Sequence, residues 1–381
     1  MVRFHFPLPK RTNLKVIKDS VNNLYKYFIY RIFFIFYGKI KGIIVSGSDK
    51  RIKVEKITKE KKINYKVFKV KDGRLYTDRI HDTAIILDNS IIEGPSHQLR
   101  PINNAEVEKN IVFTKGTPRI KKKLQGRVLS LLTGGGGNEN YSHWLLDVLP
   151  RIALCEDVLN ISEVDFFLLP SMKKKFQRET LDLLNIEESK RISSENFRHI
   201  SASEIVVTDH PYCISGDATN DIHNIPEWIS SWLKKKYLNI KNKGSNYPKK
   251  IFIDRSDAKS NTSHLRKIIN ENDVRDYLLQ NGFKTIILGK YHFQEQVQIF
   301  NNADVIVGLH GAGLTNVCFS KPGAKLIEFK SMTTGFQYEN LAKKNKLVYN
   351  CISCKSSKFD QNNQYGHIKV PINKLEEFVK T

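Results

Sequence analysis

The sequence predicts an α/β protein made of two Rossmann-like, doubly wound domains facing across a cleft, with an N-terminal membrane-associating segment. Three observations predict it. Short β-branched apolar runs alternate with helix-period blocks from about residue 128 to residue 351, a pattern that implies largely parallel sheets. The alternation pauses at a polar stretch, residues 241–249, containing Gly244, Ser245, Asn246 and Pro248, and then restarts. The 381 residues are enough for two cores of ordinary size.

The chain opens with charge and proline and lacks a small-residue cleavage site, so it does not read as a secretory signal. Residues 24–37 are apolar and aromatic, broken by Lys26 and Arg31, and too short to span a bilayer. Phe33, Phe34 and Phe36 with Tyr30 and Tyr37 leave no clear polar face, and Lys and Arg flank them. That suits a helix lying in an anionic membrane interface; packing on the protein itself is the alternative. Residues 46–62 read as a charged linker or exposed edge, and 65–93 as strands and hairpins with a turn at Lys71-Asp72-Gly73. In the first domain, strands are expected at 128–132, 165–169 and 204–208, with helices at 141–155, 174–184 and 226–236. In the second, strands are expected at 250–254, 285–288, 304–308, 325–329 and 347–351. Its helices are expected at 270–280, 293–302, 313–319 and 336–344, and a last helix at 372–380. The segments are therefore 1–48, 49–240, 241–365 and 366–381.

The formal net charge is +23, from 62 Lys+Arg against 39 Asp+Glu. Such an excess suits a polyanionic partner, whether a nucleic acid, an anionic membrane or a phosphorylated substrate. A codon bias rich in Lys, Asn and Ile would produce the same excess. No nucleic-acid-binding module is visible, and the lysines are dispersed, so nucleic acid is not the expected partner. The five cysteines form no disulfide framework and fit a reducing compartment. Cys351 and Cys354 make one C-x-x-C without a second ligand pair, which reads as strand residues.

The sharpest motif runs from Val305 to Asn316, where a buried strand enters a glycine loop that opens a helix. In open parallel sheets, ligands bind beyond the carboxyl ends of the strands. Gly311 and Gly313 admit a phosphate, and the N–H groups of Ala312, Gly313, Leu314 and Thr315 point at it. Thr315 and Asn316 add side-chain donors, and His310 stands at the lip. A tight turn that uses glycine for geometry alone is the plainer reading. Glu328 at a strand end is suited to ribose hydroxyls, or to pairing with a nearby lysine. Arg255, at the end of the first strand of the second domain, and Arg266 are placed for a diphosphate or for salt bridges to Asp257 or Glu271. In the first domain, Asn140 or Ser142 caps a helix on which His143 and Asp147 share one face, four residues apart. That spacing lets a carboxylate orient an imidazole base; a cap with a surface pair has the same spacing.

Together these blocks resemble glycosyltransferase family 61. The residues that carry the resemblance are Asn140 through Arg151, Arg255, Arg266, Asn270-Glu271, Glu295-Gln296, Gly308 through Asn316, Pro322-Gly323 and Ile327-Glu328. The family includes bacterial capsular polysaccharide biosynthesis proteins, plant xylan-decorating enzymes and animal enzymes that add N-acetylglucosamine to proteins. The resemblance implies a GT-B fold and an inverting reaction with a nucleotide-sugar donor, UDP-linked, and no metal or other cofactor. On this sequence it makes His143 the base with Asp147 as orienter, or Asp147 the base itself. Asn140 then serves substrate binding, and Arg255, Arg266, His310 and the N–H groups after Gly311 hold the diphosphate. The implied acceptor is a glycan or lipid-linked glycan of a surface polysaccharide, reached at the cytoplasmic face of a membrane. A non-catalytic scaffold with the same fold is the rival. An epimerase would want a G-x-G-x-x-G fingerprint, which is absent.

Overall fold

The computed structural model describes residues 11–60, 63–98, 107–215, 217–240, 246–258, 266–356 and 366–380. The opening residues 1–10 and residues 241–245 of the expected domain boundary lie outside that set.

An N-terminal helix, Arg11–Tyr37, is longer than the apolar run. Its last turn is fixed to the body. Tyr37 packs edge-on against His199 at 4.8 Å, its hydroxyl accepts from the Lys121 N–H at 2.9 Å, and Phe34 rests against Gly116. Further back, Val16, Val21, Leu24 and Phe28 are exposed, as are Ile35 and Phe36 near the end. Among the described residues no helix is long and apolar enough to cross a membrane.

The first sheet contains β1 (Gly42–Ile44), β2 (Ile52–Glu60), β3 (Ile63–Lys71), β4 (Arg74–Thr77), β5 (Asp82–Leu87), β6 (Ser90–Ile92) and β7 (His97–Gln98). It is completed by β8 (Lys122–Ser130), β9 (Phe166–Leu169), β10 (Arg191–Ser193) and β11 (His199–Thr208). β11, β8, β9 and β10 are parallel neighbours in that order. This is the expected α/β pattern, but it fills only part of the sheet. The other edge of β11 carries antiparallel strands, so the sheet is mixed rather than doubly wound throughout. The charged stretch after the N-terminal helix supplies β2, which pairs only with β3 and is an edge strand.

The turn expected at Asp72-Gly73 is not a hairpin. β3 and β4 run one after the other along the same antiparallel partner, β11, and the bend between them faces an irregularity at Ala202/Glu204. Asp72 N–H donates to Ser203 O and Ala202 N–H to Gly73 O, so the bend stays paired. The hairpin falls at Asp88-Asn89, where both residues have positive φ (47° and 66°), the geometry of a tight primed turn.

The second sheet matches expectation almost strand for strand. Its strands are β12 (Lys250–Asp254), β13 (Lys284–Ile287), β14 (Val305–Leu309), β15 (Lys325–Ser331) and β16 (Val348–Cys354). All are parallel, in the order β13-β12-β14-β15-β16. This is a doubly wound order whose direction reverses between β12 and β14. The expected helix after β14 is a 3-10 helix, Ala312–Phe319.

One apolar core joins the two sheets. The helix Glu227–Tyr237 contributes Trp228, Leu233 and Tyr237 to it, and the Tyr237 ring meets Phe293 at 4.9 Å and Phe319 at 6.4 Å.

Candidate functional site

The helix expected at 141–155 is broken in an informative way. Asn140 Oδ1 caps it, accepting from Ser142 N–H at 2.8 Å and His143 N–H at 3.3 Å. Trp144–Val148 then forms a π-turn, with Leu149 N–H reaching back to Trp144 O at 3.1 Å. The next residue, Pro150, has no N–H to give and its ring crowds the carbonyl four residues earlier, so the chain loosens just before it. In this widened turn His143 Nδ1 lies 2.6 Å from Asp147 Oδ2. Asp147 is 1% exposed and the His143 side chain 26%, so the carboxylate is sealed while the ring keeps an outlet. The ring lies so close beneath Gly136 that a β-carbon there would sit 3.0 Å from His143 Nε2.

Burial by itself would lower the His143 pKa, but the Asp147 charge and hydrogen bond outweigh it and raise the pKa above the ordinary value. Burial would likewise raise the Asp147 pKa, yet His143 and then His210 hold it well below the usual carboxylate range. Nδ1 therefore donates to Asp147, and Nε2 is left as the basic atom. Close by, Arg151 is 2% exposed and donates to Thr208 O at 3.0 Å. Burial lowers its pKa to about 10, so it remains a cation at neutral pH.

The second constellation stands at the carboxyl ends of β12 and β14, where the order of the second sheet reverses. A pocket of about 530 Å³, counting solvent at its mouth, opens there. Phe252, Ile268 and Leu309 give it an apolar wall, and Arg255, Arg266 and Lys267 a basic one. Arg255 Nη1 donates to His310 O at 2.7 Å and Arg266 Nη1 to the same oxygen at 3.2 Å. Among the described residues neither guanidinium has an ion-pair partner, and the buried Arg266 Nε has no hydrogen-bond partner. The salt bridges to Asp257 or Glu271 are therefore not formed; Glu271 pairs with Arg275 instead. Burial, then the neighbouring Arg255, lowers the Arg266 pKa to about 10. Gly311 makes the convergence possible, because a β-carbon there would meet Arg255 Nη1 at 2.6 Å.

The remaining expected residues divide into two groups. The backbone of Gly311, Ala312 and Gly313 borders the Arg255 side and is partly exposed, whereas Leu314, Thr315 and Asn316 are buried. Asn316 is engaged elsewhere: Tyr141 OH donates to its Oδ1 at 2.5 Å, and its Nδ2 donates to Gln296 Oε1 and Gly313 O, both at 3.2 Å. Thus the start of the His143 helix and the end of the glycine loop are bonded directly. Glu328 is 0% exposed and sits behind His310, with Oε1 2.5 Å from His310 Nδ1 and Oε2 accepting from Tyr349 OH at 2.6 Å. Among the described residues its carboxylate is engaged by His310 and Tyr349, and no lysine pairs with it. Asn270 braces the tail through Val370, giving to its carbonyl and accepting from its N–H at 2.9 Å each.

Sequence reasoning missed His210, Tyr212 and Tyr349. They reach the sites through tertiary folding, and no spacing signal marks them. Among the described residues no group of three or more His, Cys, Asp or Glu is placed to hold a metal ion.

Residues 141–327 match the family model described as Glycosyltransferase 61. The match spans both constellations. Two curated animal proteins agree in kind, each an EGF domain-specific O-linked N-acetylglucosamine transferase. The Gallus gallus protein is 33% identical over 94 residues, covering 22% of this chain and 17% of the relative. The Rattus norvegicus protein is 31% identical over 98 residues, covering 23% of this chain and 18% of the relative. The chain thus aligns with less than a fifth of the length of either relative.

Proposed function

We propose that this protein is a glycosyltransferase, an inverting enzyme of the GT-B type that uses a nucleotide-sugar donor, UDP-linked, with the nucleotide on the second sheet and the acceptor on the first. The observation that carries this reading is the pair of guanidinium groups, Arg255 and Arg266, converging on one carbonyl oxygen with no carboxylate partner among the described residues. Uncompensated half-buried cations at a topological switch point favour a polyanion. The leaving diphosphate fits between them and the N–H groups of Ala312 and Gly313 at the start of the 3-10 helix.

The reaction is one displacement. The acceptor oxygen attacks the anomeric carbon opposite the diphosphate, and the bond to the diphosphate oxygen breaks with its electron pair. His143 Nε2 takes the acceptor proton, and Asp147 stabilises the imidazolium that results. Arg255 and Arg266 receive the negative charge, the task a metal ion performs elsewhere, and this supports a metal-independent reaction. We place the enzyme at the inner face of a membrane, held by the exposed apolar residues of helix Arg11–Tyr37 and its basic flanks. There it would extend a capsular-type polysaccharide or a lipid-linked glycan.

Calorimetric titration with a panel of nucleoside diphosphates, with and without divalent metal, tests the donor site. Saturable, metal-independent binding of one nucleotide that Arg255→Ala and His310→Ala weaken is the expected result. A folded protein that binds no nucleotide would overturn the reading.

A further inference from the structure

His210 is a histidine that the reaction above does not use; its side chain is 14% exposed, but its Nε2 is buried. It follows β11 and packs edge-on against Tyr212 at 4.6 Å. Its Nδ1 accepts the backbone N–H of Cys213 at 2.9 Å and that of Tyr212 at 3.3 Å. An atom that accepts backbone N–H groups carries a lone pair, so the proton of the neutral ring is on Nε2. Protonating Nδ1 would set N–H against N–H in a buried site. Nε2 faces Asp147 Oδ2 at 3.7 Å and has no closer hydrogen-bond partner among the described residues. A buried donor thus points at a buried carboxylate from just beyond bonding distance, a gap that commonly closes when substrate binds.

We propose that His210 is a positioning residue for the His143–Asp147 pair, its Nε2–H facing the same Asp147 Oδ2 that His143 Nδ1 engages. This deepens the transferase reading and rests on it for its catalytic meaning. The two histidines then have different tasks. His143 keeps a free Nε2 and can take a proton. His210 is fixed as a neutral donor, which burial also favours by lowering its pKa. The other groups around Asp147 agree with this. The Tyr212 hydroxyl stays protonated beside the carboxylate, and Arg151 adds a buried positive charge. Asp209 and Cys213 complete the titratable surroundings.

Removing the Nε2–H leaves Asp147 less satisfied and a stronger partner for His143. The His143 pKa should therefore rise, and the acid limb of the transfer reaction should move with it. His210→Asn separates this role from support of the 210–213 turn, because its Oδ1 can still accept the Cys213 N–H while the donor to Asp147 is gone. His210→Gln carries an amide N–H out to the Nε2 position. The ring of His143 can be titrated by nitrogen NMR in ¹⁵N-histidine-labelled full-length protein without substrate, with transfer measured separately. The expected result is an upward His143 shift of about 0.5–1 pH unit in His210→Asn, largely reversed in His210→Gln. A His143 titration unchanged in His210→Asn, or moved equally by both variants, would overturn the proposal. Failure of the wild-type protein to transfer any sugar, with the Asn-specific shift present, would overturn the transferase reading and leave the positioning role standing.

Discussion

The two sheets each present a histidine bound through Nδ1 to a buried carboxylate, at 2.6 Å for His143–Asp147 and 2.5 Å for His310–Glu328. The pairs look alike, yet their histidines are tuned in opposite directions. Burial lowers both. At His143 the Asp147 charge and hydrogen bond prevail, and the pKa rises. At His310 burial prevails over Glu328, aided by the charges of Arg266 and Lys330, and the pKa falls. The same two-residue device thus gives a basic ring beside the first sheet and a neutral ring beside the second. The lesson is that the surrounding charges, rather than the pair, set the protonation of the ring; under the proposed function this makes one histidine a proton acceptor and the other a neutral prop beside the arginine pair.

The largest effect should come from breaking the first pair. Asp147→Asn removes the anion that supports the His143 imidazolium, and kcat should fall by about 10²–10⁴-fold with nucleotide binding retained, as initial-rate kinetics would report. Next is the anion site. Arg255→Ala or Arg266→Ala should each weaken nucleoside diphosphate binding by about 10–100-fold in calorimetry, the value of a charge-assisted bond. In the wild type, kcat/KM should rise with pH through an apparent pKa above the ordinary histidine value of about 6.5, because the base must be unprotonated and its pKa is raised.

Stability should show the same opposition. A raised folded pKa at His143 contributes stability that is present below about pH 6.5 and lost as pH rises through the folded value. A lowered folded pKa at His310 has the reverse sign, since the unfolded chain binds the proton more readily, so stability falls as pH drops below about 6.5. Urea unfolding of His143→Gln should therefore lose more stability than the wild type as pH falls toward about 6.5 from above, and His310→Gln should lose less than the wild type as pH falls below about 6.5. The smallest effect belongs to the bond joining the two regions. Tyr141→Phe removes the contact to Asn316 and should cost about 1 kcal/mol in the same assay.

Much of the second sheet was legible in the sequence because its strands are buried, parallel and separated by helices, so each announces itself locally. The first sheet was legible strand by strand only where it follows that rule, along β8, β9 and the end of β11, whereas the short β10 went unseen. The collinear β3 and β4 escaped because their register is set by β11, which lies far along the chain. The π-turn had a visible cause in Pro150, but a proline in that position reads equally well as the start of a new helix. His143 and Asp147 were legible together through their spacing on one helix. His310 and Glu328 were each visible, but their contact depends on the pairing of β14 with β15, which aligns Gly308 with Glu328. Asn316 reads as a ligand donor from the motif; only the fold shows its amide committed to Tyr141 and Gln296.

The most direct test of this division of labour is His143→Ala, with sugar transfer and nucleoside diphosphate affinity measured on the same preparation. Transfer should be lost while affinity stays within about twofold of the wild type, because the base and the anion site are separate constellations. A parallel loss of affinity, or a variant that still transfers sugar at the wild-type rate, would contradict it.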